Sequence, residues 1–86
     1  MFQASEIERL IKEGLDCELV TVEGDDGVHF SAIVVSPDFE GLSLPDQHRK
    51  VKTTLGNRLD SGEIHALGLK TYTPARWAAL RASQAS

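Results

Sequence analysis

Few side chains in this 86-residue chain can do chemistry, and the best placed is His65. It opens Ile64-His65-Ala66-Leu67-Gly68-Leu69-Lys70-Thr71-Tyr72, a run of small and large residues that leads directly into Thr73-Pro74. Imidazole is the commonest neutral metal ligand and suits iron, so His65 is a candidate ligand at a strand mouth. The alternative is an imidazole hydrogen-bonded to a neighbouring carbonyl. His29 stands before Phe30, where strand alternation makes it a surface residue. Cys17 is the only thiol, so neither an intrachain disulfide nor an all-cysteine metal site can form within one chain. Its setting, Asp16-Cys17-Glu18, disfavours the thiolate. Nucleophilic catalysis needs the reverse, an activated nucleophile held by a base in a shielded pocket. Cys17 has only His29 and His65 as conceivable bases, and the residues point to a protein that is not an enzyme.

A second group is basic. Gln47-His48-Arg49-Lys50, with Lys52 and Arg58, gives a cationic helix surface that could meet an acidic partner or a nucleic-acid backbone. A plainly solvated helix face is the alternative. Net charge is −4, but it is unevenly spread. Residues 1–43 carry two basic and ten acidic side chains, residues 44–86 seven basic and three acidic. The five aromatic residues Phe2, Phe30, Phe39, Tyr72 and Trp77 look committed to packing, which argues against a base-stacking platform.

These residues need a frame, and the pattern supplies one. Ser5-Glu6-Ile7-Glu8 has the spelling of a capping box, and Ile7, Leu10, Ile11 and Leu15 keep helical spacing over about 5–13. Residues 18–23 and 29–35 are rich in β-branched side chains and flank Gly24-Asp25-Asp26-Gly27, which reads as an antiparallel hairpin. Ser36-Pro37 ends its second strand, and Phe39 with Gly41 sets the turn that follows. Ser43 caps a helix over 44–60, with a bend allowed near Pro45 and with Gly56 as a weak point. A third strand near 65–71 places Leu67 and Leu69 on one face and Ala66 and Gly68 on the other. That second face is nearly bare. Thr73 and Pro74 start a last helix over 74–80, and residues 81–86 are expected to fray. The core is expected to hold Leu10, Leu19, Val51, Leu55, Leu67, Leu69 and Trp77. The fold class is α+β in the order α-β-β-α-β-α, one domain over 1–86, with helices on one face of a three-stranded mixed sheet.

The order and spacing of Ile64-His65-Ala66, His29-Phe30, Phe39-Glu40-Gly41-Leu42-Ser43 and Thr73-Pro74-Ala75-Arg76-Trp77 resemble the BolA-like family over about residues 3–80, and within it the short-loop bacterial branch. The resemblance implies a type II KH-like fold. It also implies that His65 ligates a [2Fe–2S] cluster shared with a monothiol glutaredoxin and its bound glutathione. Many relatives place a second Cys or His ligand four residues before the strand phenylalanine, and here that position is Asp26. A carboxylate is a harder and weaker partner for such a cluster, so His29 is the substitute candidate. The family's Arg-His-Arg segment is only partly present, because Gln47 replaces its first arginine. Gly24-Asp25-Asp26-Gly27 has the spelling of an RNA-clamping Gly-x-x-Gly loop, but it lies in a hairpin and its two carboxylates would repel phosphate.

The expected function is therefore an adaptor in iron–sulfur cluster binding, trafficking or iron sensing, paired with a monothiol glutaredoxin. The alternative is a nucleic-acid-binding transcriptional regulator of stress or envelope genes, reading DNA through Arg49, Lys50, Lys52 and Arg58. The isolated chain is expected to be a monomer or weak homodimer that does not hold the cluster stably alone. No apolar run approaches the roughly 18 residues of a membrane span. With no secretory leader pattern, the expected location is the cytoplasm.

Overall fold

A computed structural model describes residues 3–24, 29–62, 64 and 66–84. Helix α1 (Ala4–Gly14) leads to β1 (Leu19–Glu23) and β2 (His29–Val35). A single 3₁₀ turn at Pro37–Phe39 follows, then α2 (Leu44–Thr54), the short α3 (Arg58–Ser61), β3 (Ala66–Tyr72) and α4 (Pro74–Gln84). The sheet order is β1-β2-β3. β1 pairs antiparallel with β2, and β2 pairs parallel with β3, so the sheet is mixed as expected. The chain can return parallel because α2 and α3 form the crossover that such a connection requires.

Period-two alternation builds the core. Val20, Phe30, Ala32 and Val34 are buried on one face, and the register sets Leu67, Leu69 and Thr71 beside them on β3. Ile7 and Ile11 from α1, Phe39 from the 3₁₀ turn, and Val51 and Leu55 from α2 and its end are all fully buried against that face. Ile64 joins them, also fully buried. Of the expected core, Val51 and Leu55 are central, while Leu10, Leu67 and Leu69 pack at the margin. Leu19 and Trp77 are only half-buried. Leu19 lies on the opposite face by alternation, and Trp77 instead packs against Tyr72, with ring centroids 5.3 Å apart and the ring planes tilted by 45°.

Other details differ from the sequence pattern. Helix α1 starts one residue early, with Gln3 at its N-cap and no side-chain cap, so Ser5 lies inside the helix. Ala4 packs against the core and fixes that first turn by burial, which removes the need for the capping box. The 44–60 segment breaks at its far end, away from Pro45. Gly56 takes φ +62°, a left-handed conformation that ends α2 and that glycine adopts at low cost. Helix α4 runs on to Gln84 through residues with good helix propensity, although none of its side chains is buried. The two caps expected elsewhere are present: Ser43 Oγ accepts from the Asp46 amide at 3.3 Å, and Thr73 Oγ1 from the Arg76 amide at 3.3 Å.

A buried polar hub ties the linker before β1 to the turn after β2. Ser36, fully buried, donates from Oγ to the Asp16 carbonyl at 2.6 Å and accepts from the Asp38 amide at 3.0 Å. Asp38 Oδ2 in turn accepts from the Asp16 amide at 3.1 Å. Each buried polar group there has a partner, so the hub fixes the crossing without an unsatisfied atom.

Candidate functional site

The parallel pairing of β2 and β3 brings the starts of both strands to the same end of the sheet. His29 opens β2 and Ala66 opens β3, and the register pairs them directly. Both belong to the face opposite the helices, where their neighbours Ser31 and Gly68 are small and exposed. His29 is exposed there. It borders a shallow depression lined by Ala4, Val22, Gly24 and Phe30. Gly24 is needed at this corner: a Cβ would come within 2.5 Å of the Phe30 ring and 2.8 Å of the His29 carbonyl oxygen. The hairpin mouth is therefore closely packed beneath His29.

His65 and Asp26 lie outside the described residues. Chain order nevertheless makes His65 the residue before Ala66, and Ala66 is the register partner of His29. Among the described residues no group of three or more His, Cys, Asp or Glu side chains could hold a metal ion.

Cys17 takes no part in this end. It precedes β1, whose first residue Leu19 pairs with Val35 at the far end of β2 from His29. Six residue steps along a strand separate the two ends by about 20 Å. His29 thus cannot activate Cys17. Burial pushes the thiol pKa up, and the carboxylates of Asp38 and then Asp16 push it further, against a smaller opposing effect of Lys12. The sequence pointed to this direction through Asp16. It did not show that burial dominates, or that Asp38 is folded in beside the thiol.

The basic residues divide. Arg49 and Lys52, three apart, line one groove on the α2 surface. Lys50 is exposed but lies two positions from Lys52, and such positions point in different directions on a helix. Arg49 also bonds Asp46 at 2.8 Å, and Arg58 donates to the Leu55 carbonyl at 3.0 Å. Gln47, at the position of the missing arginine, bridges the fold. Its Nε2 donates to the Leu42 carbonyl at 3.0 Å and its Oε1 accepts from Thr71 Oγ1 at 2.7 Å. The neighbouring His48 has a buried Nε2 with no hydrogen-bond partner. Nothing in the local spelling marks either role, because both depend on β3 arriving beside α2.

The BolA-like protein family model matches residues 8–76. The chain belongs to the BolA-like family. An uncharacterized protein of Haemophilus influenzae is 36% identical over 75 residues, covering 87% of each chain. The acid stress protein IbaG of Escherichia coli K12 is 36% identical over 74 residues, covering 86% of this chain and 87% of its own. These relatives place the BolA-like chain with the bacterial IbaG-like branch. Among solved structures, a BolA homologue from Coxiella burnetii superposes with TM-score 0.79 at 42% identity, covering 91% of this chain and 99% of that one. The BolA domain of SufE1 from Arabidopsis thaliana superposes with TM-score 0.74 at 33% identity, covering 85% and 93%. The α-β-β-α-β-α order and mixed sheet are those of BolA structures.

Proposed function

We propose that this BolA-like chain is a non-enzymatic adaptor that pairs with a monothiol glutaredoxin and shares a [2Fe–2S] cluster with it and with glutathione. The observation that carries the reading is the direct pairing of His29 with Ala66, the residue that follows His65. It sets His29 beside the first described residue after His65 in the chain, at one end of two parallel strands. The adjoining face carries only small side chains at Ser31, Ala66 and Gly68, which lets a second protein approach closely. Cys17, the only thiol of the chain, is remote from this end, so on this reading the thiolates come from the partner and glutathione. His65 is assigned as the principal ligand, His29 as the second candidate and Asp26 as the weakest, since imidazole suits iron better than a carboxylate does. Likeness to an acid stress protein supports a role in stress physiology.

The test is the visible spectrum and lifetime of the complex reconstituted from this chain, a monothiol glutaredoxin, glutathione, iron and sulfide. His65→Ala should shift the spectrum and shorten the cluster lifetime while far-ultraviolet circular dichroism stays unchanged. His29→Ala should have a smaller effect, and Asp26→Ala the smallest. An unchanged spectrum and lifetime in His65→Ala would remove His65 from the ligand set and the reading with it.

A further inference from the structure

The sheet has a free edge that the cluster reading leaves unused. β3 pairs with β2 only, so its other side carries unpaired backbone groups. Which residues present them follows from one hydrogen bond. The Tyr72 carbonyl accepts from the Ser36 amide at 3.1 Å, so Tyr72 turns its backbone groups towards β2. Alternation along a parallel strand then turns the N–H and C=O of Leu69 and Thr71 away from β2. No backbone group among the described residues bonds them on that side. They border a groove between β3, the start of α2 and α4.

The rest of that groove has a definite chemistry. Arg76 and His48 line it, Lys70 borders it on the edge strand, and no carboxylate lines it. Leu44 stands at its rim, 56% exposed, the one large hydrophobic side chain so exposed among the described residues. We infer that this groove docks an extended, acidic segment of a partner protein, which adds as a further strand to the free edge of β3.

The strand geometry also sets the side-chain pattern of that segment. Leu69 and Thr71 direct their side chains to the helix-covered face, the side from which α2 presents Leu44 and His48. Lys70 points to the opposite face. Alternate residues of an added strand would therefore meet an apolar rim and a cation in turn, so a segment alternating β-branched and acidic residues fits. A nucleic-acid strand docked by its phosphates fits less well, because phosphate offers acceptors only and leaves the Leu69 and Thr71 carbonyls without donors.

The probe is a short, end-capped peptide of alternating valine and glutamate, added to the full, isotopically labelled chain without iron or glutaredoxin. Failure here thus leaves the cluster reading untouched, and failure of that reading leaves this one standing. Amide exchange of Leu69 and Thr71 should slow roughly tenfold or more on saturation, as expected when an edge amide gains a strand partner. Two peptides N-methylated at odd or at even positions should differ, one binding and the other not, because only one set of amides faces β3. Reversing charge with Lys70→Glu and Arg76→Glu, both exposed, should weaken the acidic peptide by about tenfold or more and favour a valine–lysine peptide. Unchanged exchange at Leu69 and Thr71 would overturn the proposal, as would equal binding of both N-methylated peptides. It would also be overturned if a single-stranded oligonucleotide protected the same amides. Protection that grows with protein concentration without peptide would assign the edge to a second copy of the chain instead.

Discussion

Cys17 shows how residue chemistry depends on what the fold brings near it. Its thiol is half-buried between the end of α1 and the Ser36 hub, which also holds the Asp38 carboxylate in this region. Burial first and then Asp38 and Asp16 raise its pKa. The folded chain therefore holds the thiol proton more tightly than the unfolded chain does. Its contribution to stability is fully present below the ordinary thiol range and is lost as pH rises through the folded-state value. Iodoacetamide should alkylate native Cys17 more slowly at pH 7.5 than it alkylates the urea-unfolded chain, the thiolate being the reactive form. Cys17→Ala should flatten the alkaline fall of the urea midpoint. Native alkylation at the unfolded rate would contradict this account. At this scale the sequence was readable wherever the cause was local. Ser43 and Thr73 cap as their spelling indicates, and the acidic neighbour of Cys17 acts in the direction expected. Asp38 and the Gln47–Thr71 bond were not readable, because they join positions more than twenty residues apart in the chain.

Elements were legible through periodicity, and their junctions were not. The alternation in 29–35 and 65–71 located β2 and β3 and assigned their faces, since a period of two survives any tertiary setting. The break in the second helix fell at Gly56, with the proline accommodated inside the first turn of α2 as its missing N–H allows. How α1 and α2 approach each other was equally invisible in sequence. A Cβ on Gly14 would lie 2.6 Å from Thr54 Cγ2 and 3.0 Å from its Cβ. Thr54 cannot turn aside freely, because its Oγ1 donates to the Val51 carbonyl at 2.6 Å. Helix propensity alone favours Gly14→Ala by roughly 1 kcal/mol, and the clash opposes it with about 1–3 kcal/mol of overpacking. The single variant should be neutral to destabilised in urea unfolding. Adding Thr54→Ser removes the crowding methyl and keeps the hydroxyl, so the double variant should exceed the single Thr54→Ser variant in stability. If Gly14→Ala stabilises equally in both backgrounds, the close approach does not constrain the helices.

At the scale of the whole molecule, the uneven charge of the sequence becomes a polarity across the sheet. The acidic first half builds α1, β1 and β2, with Glu18 and Glu23 exposed along the β1 side. The basic second half builds α2, β3 and α4, and β3 is the opposite edge. The principal extents are 39 × 26 × 20 Å, so the two ends lie more than one Debye length apart at physiological salt, about 8 Å. Each edge then acts as its own charged surface, and the net −4 describes neither. DNA binding, where it occurs, should be confined to the basic side, weak, and steeply salt-dependent, because it draws on phosphate contacts alone. Arg49 and Lys52 share one side of α2, whereas Lys50 points elsewhere. In a titration of duplex DNA over a salt series, Arg49→Ala with Lys52→Ala should lower affinity and reduce the log–log salt slope by roughly 0.9 for each phosphate no longer neutralised. Lys50→Ala should leave the slope nearly unchanged. Arg49 gives up its Asp46 partner to reach a phosphate, so Asp46→Ala should strengthen binding by removing both the competitor and a nearby negative charge. Salt-insensitive, nanomolar binding to one DNA sequence would reverse the ranking of the two functions, since phosphate contacts on so small a basic surface cannot produce it.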